Sequence, residues 1–141
     1  MRVEVNGAKQ TSRRLRKLHD RLSPDQQRWV FAQLLDDMYA IQRMWWAREF
    51  AGKRDKSPRR GNPETYMFQT GQLMAGATTS GAARSYNLVN EKFALLSVRG
   101  SAVGLAEMHR RQGRDAIADL SRRDNRNLTE TMGRFIFAAM D

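Results

Sequence analysis

The sequence predicts an α+β fold in one domain spanning residues 1–141: N-terminal helices, a central antiparallel β-sheet and a C-terminal helix. Three observations predict it. Apolar residues recur at helical spacing from Leu15 to Trp45. Two short runs of strand-forming residues flank Asn90-Glu91. A second helical pattern, Leu128, Met132, Phe135, Ile136 and Ala139, closes the chain.

The first helix is expected over about 8–22, where Leu15, Leu18 and Leu22 alternate with Arg13, Arg14, Arg16, Lys17 and Arg21. Such a helix either contacts an anionic partner or is an ordinary surface helix with a solvated basic face. The pattern alone favours the second reading. Ser23-Pro24-Asp25-Gln26 then starts a second helix. Ser23 caps it, Pro24 suits its first position, Asp25 complements its positive end and Gln26 completes a capping box. Phe31, Leu34, Leu35, Met38, Ile41 and Trp45 give it one apolar face, and no Gly or Pro interrupts it before Gly52, so it is expected to run over 24–50.

Trp29, Trp45, Trp46 and Tyr39 lie on this helix among Arg28, Arg43 and Arg48. They suit base stacking, and equally a core or a subunit interface. Trp45 falls on the main stripe and is assigned to the core. Trp46, one step off it, is the interface candidate.

Residues 51–63 change character. Gly52, Pro58, Gly61 and Pro63 punctuate a run holding Lys53, Arg54, Lys56, Arg59 and Arg60. This reads as a long, flexible basic loop, either a linker or a partner-binding segment that orders on contact. An antiparallel sheet is expected over roughly 67–108. Its centre is a hairpin of Arg84–Val89 and Lys92–Val98 turning at Asn90-Glu91, and residues 102–109 read as a further strand turning into a short helix. The last helix is expected at about 125–139.

The composition excludes several chemistries. The chain has no Cys, so disulfides, thiolate catalysis and Cys-ligated zinc are out. His19 and His109 are far apart and form no H-x-x-x-H spacing, so no metal and no cofactor are expected. No nucleophile elbow or phosphate loop is present: Gly100-Ser101-Ala102-Val103-Gly104 lacks the G-K-[ST] ending. Asp36 and Asp37 are adjacent and point to different helix faces. Asp115 and Asp119 could share a face, with Arg114, Arg122 and Arg123 close by for local ion pairs. No catalytic residue is assigned, and the chain is expected not to be an enzyme.

Lys plus Arg number 25 against 15 acids, a formal charge of +10. That concentrates any anionic partner without choosing among nucleic acid, membrane and acidic protein. No apolar run approaches the roughly 20 residues of a membrane span, and Met1-Arg2-Val3-Glu4-Val5-Asn6 is no signal peptide, so a soluble protein of the cytoplasm is expected.

Several short segments follow one another along the chain in a definite order. The first is the basic leucine-bearing stretch Leu15 to Leu35 with Leu22-Ser23-Pro24, followed by the long helix and the basic Gly/Pro loop. The second is Met67-Phe68-Gln69-Thr70-Gly71-Gln72-Leu73, similar to a T-G-x-L that leads into the sheet. The third is Val103 to Gly113, similar to an A-x-x-H-Q-x-G signature through His109 and Gly113. Asp119-Leu120-Ser121-Arg122-Arg123-Asp124 and the final helix follow. In this order the segments resemble the phage tail completion, or virion morphogenesis, family of contractile-tailed phages. That family usually has a Pro-Ala-Arg or Pro-Arg segment before the closing helix, whereas Gly113-Arg114-Asp115-Ala116-Ile117 has no Pro.

The resemblance implies a non-enzymatic virion protein that caps the last layer of tail tube and sheath and presents a head-connector surface, as a closed homo-hexameric ring. It implies tube, sheath and neck proteins as partners, with Lys53, Arg54, Lys56, Arg59 and Arg60 steering docking. Trp46, Gly71 and Leu73 are the candidate subunit contacts. His109 and Gly113 are assigned to shaping the fold, with His109 bonding across a turn and Gly71, Gly104 and Gly113 supplying special backbone angles or close approach. Two other readings stay open: a small DNA- or RNA-binding protein, which explains the charge equally well, and a head-side neck or adaptor protein.

Overall fold

The start of the second helix follows the capping chemistry written in its sequence. Ser23 Oγ accepts from the Gln26 amide at 3.2 Å, and Gln26 Oε1 accepts from the Ser23 amide at 2.9 Å. These bonds satisfy donors that a helix start leaves without partners. In a computed structural model, which describes residues 1–4, 10–50 and 72–141, the elements are β1 (Arg2–Glu4), α1 (Gln10–Asp20), α2 (Pro24–Glu49), α3 (Gln72–Thr78), β2 (Ser85–Val89), β3 (Phe93–Val98), α4 (Ser101–Arg111) and α5 (Arg122–Met140). The fold is α+β.

The three strands form one sheet in the order β1-β3-β2. The β2–β3 hairpin turns on Asn90, whose side-chain oxygen accepts from the Lys92 and Phe93 amides at 2.8 and 3.0 Å. Strand β1 pairs antiparallel with β3, with Val3 opposite Ala94. The Met1 amino group and carbonyl extend this pairing to Leu96. Sequence reading missed β1, although Val3 and Val5 alternate around Glu4, because three residues are too few to show a strand period.

Four further expectations are corrected. The T-G-x-L segment does not lead directly into a strand: Gln72–Thr78 is a helix, with Leu73, Gly76 and Ala77 buried. Gly76 lets α3 approach its neighbour, since a Cβ there would lie 2.8 Å from the Arg84 carbonyl oxygen. Residues 102–109 contain no strand and belong wholly to α4. Ala102, Leu105 and Ala106 turn inward at i, i+3 and i+4, while Val103, the one residue of the run with strong strand preference, is 52% exposed. The closing helix starts three residues earlier than expected. Ser121 caps it, and Asp124 completes a capping box as its third residue. Asp115 and Asp119 share no helix face, because 112–121 is neither helix nor strand.

The described residues group into two compact units, each discontinuous in sequence. Unit 1 comprises Met1–Met38, Leu88–Leu96 and Asp119–Asp141. It buries Val30, Phe31, Leu34 and Met38 of α2 together with Leu128, Met132 and Ile136 of α5. Gly133 of α5 faces Leu15 of α1, whose Cδ2 lies 3.4 Å from where a Cβ would stand. Unit 2 comprises Tyr39–Asn87 and Ser97–Ala118. Its core gathers Trp46, Phe50, Leu73, Ala77, Val98, Ala102 and Ala116. Each large apolar side chain so buried contributes about 1.5–3 kcal/mol.

Candidate functional site

The polar groups of unit 2 converge on the chain that follows α4. Gln42 of α2 is fully buried. Its amide nitrogen donates to the carbonyls of Ala77 and Ala116 at 3.2 and 3.1 Å, and its oxygen accepts from the Ala118 amide at 2.7 Å. One turn on, the Trp46 indole N–H donates to the Ala116 carbonyl at 2.9 Å, and its neighbour Trp45 donates to that of Asp115, also at 2.9 Å. A stretch without regular structure thus has its backbone polar groups satisfied by three side chains of one helix.

The H-x-x-x-G segment forms the entrance to this stretch. The carbonyl of His109 accepts from the amides of Gln112 and Arg114. Its Nδ1 faces the Arg114 guanidinium, with Nε at 3.2 Å and a terminal nitrogen at 3.0 Å. An arginine can only donate, so Nδ1 is the acceptor in this contact. The same guanidinium also bonds the Gln112 side chain. Gly113 has φ 78°, a left-handed backbone that the turn needs and that other residues adopt at a cost. His109 therefore does bond across a turn. Gly104 has no special role of this kind: it lies within α4, and a Cβ there would meet nothing within 4 Å.

The assignment of the two tryptophans is reversed. Trp46 is 2% exposed and stacks edge-on with Phe50, ring centroids 4.8 Å apart. Trp45 is only half-buried, with the Arg48 guanidinium over its ring at 5.4 Å. The cause is Gln42. Reading only apolar residues, the stripe runs Met38, Ile41, Trp45. The buried row in fact runs Leu34, Met38, Gln42, Trp46, Phe50, each step four residues. Every such step advances about 40° beyond a full turn, so the row winds around the helix, carrying Trp46 inward. In the sequence this row is unbroken only if the Gln42 amide is counted as buried. Leu73, the other candidate subunit contact in the described part, is 3% exposed and also belongs to the core of unit 2. Gly71 and the basic residues Lys53, Arg54, Lys56, Arg59 and Arg60 lie outside the described residues.

Two further polar sites are internal. The Tyr39 and Ser85 hydroxyls meet at 2.7 Å, and the Asn87 amide donates to Tyr39 Oη at 3.3 Å. In unit 1, His19 is 4% exposed, lies edge-on to Phe31 with centroids 5.3 Å apart, and leaves Nε2 without a hydrogen-bond partner among the described residues. Burial lowers its pKa below the ordinary 6.5, against the smaller opposing effects of a backbone bond at Gln27 and the charge of Asp20. At the exposed surface, Arg28 pairs with Glu91 at 2.6 Å. The hydrogen bond with Arg28 holds the Glu91 carboxyl below its ordinary value, and the same bond raises the Arg28 guanidinium.

Among the described residues, no group of three His, Cys, Asp or Glu side chains could hold a metal ion, and no helix is long and apolar enough to cross a membrane. Compared with known proteins, the chain matches no family model, no curated protein and no solved structure.

Proposed function

We propose that this chain is a structural virion protein that caps the end of a phage tail tube and sheath and forms the surface on which the head connector docks, as a ring of six copies. The observation that supports it best is the use made of the His109–Ala118 segment. His109, Gln42, Trp45 and Trp46 spend their hydrogen bonds on backbone and turn groups of their own chain, as a scaffold part requires. The T-G-x-L, H-x-x-x-G and closing S-x-x-D segments occur in the order described for the tail completion family, over most of the chain.

A ring closes through a heterologous interface, in which two different patches of each subunit meet. With Trp46 and Leu73 buried, the contacts fall to exposed apolar side chains. Val103 and Met108 on α4 of unit 2 are 52% and 45% exposed, and Phe137 and Met140 on α5 of unit 1 are 57% and 48% exposed. The basic residues Lys53, Arg54, Lys56, Arg59 and Arg60 steer docking onto acidic tube or connector surfaces.

Deleting the gene from a phage genome that encodes this chain tests the proposal by electron microscopy of the particles. Overlong tails, or tails that fail to join heads, are expected. Tails of normal length that join heads efficiently would overturn the reading. Replacing the five basic residues by Gln should preserve folding and impair assembly at physiological salt.

A further inference from the structure

The outward face of α1 carries basic side chains that make no ion pair among the described residues. Arg13, Arg16 and Lys17 are spaced i, i+3 and i+4 and form one exposed ridge, with Arg14 and Arg21 on its flank. None of the five makes an ion pair among the described residues. The opposite side of the helix, with Leu15, Leu18 and His19, is turned inward. Gly133 faces Leu15, so α5 packs on this inward side and leaves the ridge turned away from it. The acid that shares the exposed surface is Asp20 at the end of α1.

We propose that this outward face of α1 binds the phosphate backbone of duplex DNA without regard to sequence. The ridge is built mainly of arginine, whose planar fork matches phosphate oxygens. It holds no apolar or aromatic residue to anchor a protein interface, and none to sink into a lipid surface. From Arg13 to Arg21 it extends about 12 Å, the axial reach of roughly three to four phosphates of one strand. This assignment is independent of the tail-end reading, and either can fail alone.

Fluorescence anisotropy of a labelled duplex of arbitrary sequence, titrated with the full chain, is the test. The affinity should fall about 100-fold between about 50 and 200 mM salt. The triple variant Arg13→Gln, Arg16→Gln, Lys17→Gln should bind at least about tenfold more weakly, with the salt slope reduced by about 2–3. A matched control with the same loss of charge elsewhere, Lys92→Gln, Arg110→Gln, Arg111→Gln, should change affinity less than about threefold. The double variant Arg14→Gln, Arg21→Gln should lower the slope by about 1–2, and keeps the test decisive if the triple variant loses helicity by circular dichroism. An equal loss in the control, an unchanged slope in both α1 variants, or no binding by the unaltered chain would overturn the assignment. So would stronger competition by polyglutamate or by phosphatidylserine vesicles than by unlabelled duplex.

Discussion

The indole nitrogen of Trp46 lies 2.9 Å from the carbonyl oxygen of Ala116, a residue 70 positions further along the chain. The same carbonyl accepts from Gln42, so one turn of α2 holds a loop backbone through an aromatic and an amide donor at a single oxygen. A loop fixed in this way costs little further ordering when a partner meets it.

Gln42 is the side chain on which this arrangement depends. Gln42→Leu preserves its volume but leaves the Ala77 carbonyl and the Ala118 amide without their side-chain partner, and Ala116 with one donor fewer. Destabilisation of about 2–4 kcal/mol is expected, measured by urea unfolding. A change below about 0.5 kcal/mol would show that these groups find other partners.

The two adjacent tryptophans should separate in the same assay. Trp46→Ala empties a packed site and is expected to cost about 3–5 kcal/mol. Trp45→Ala, at a half-buried position, should cost clearly less, about 1–2 kcal/mol. Equal losses would contradict the reversed assignment.

Two glycines should respond with opposite sign. Gly76→Ala forces a methyl group to within 2.8 Å of the Arg84 carbonyl oxygen and should destabilise by about 1–3 kcal/mol. Gly104→Ala places a methyl group in open space within α4 and should stabilise by up to about 1 kcal/mol. Thermal melts of the two variants check both signs.

His19 makes stability depend on pH. Its folded pKa lies below the ordinary 6.5, so the unfolded chain takes up the proton first as pH falls. Its contribution is therefore fully present above 6.5 and is lost as pH falls from there through the folded value. His19→Phe should flatten the thermal midpoint between about pH 7 and 5, a window above the carboxylate range in which Glu91 titrates. An unchanged slope in the variant would exclude His19 as its source.

The parts legible beforehand are those decided by residues near in sequence. Ser23-Pro24-Asp25-Gln26 starts α2, and Asn90 turns the hairpin, because a cap or a tight turn is closed by groups within three residues. Ser121 and Asp124 could have been read in the same way, as a capping box rather than only as part of a family-like segment. Propensity misled where packing decides. Residues 102–109 are helical because Ala102, Leu105 and Ala106 have a core to enter, and Gln72–Thr78 is helical because Leu73 and Ala77 do. What only the tertiary structure decided is the burial of Gln42. An amide is costly to bury alone and ordinary when three backbone groups meet it. Those groups come from Ala77, Ala116 and Ala118, 35 to 76 residues away. Gln42 carries the buried row of α2 on to Trp46, and hydrophobic spacing misses that row because it counts apolar residues and cannot register a distant carbonyl.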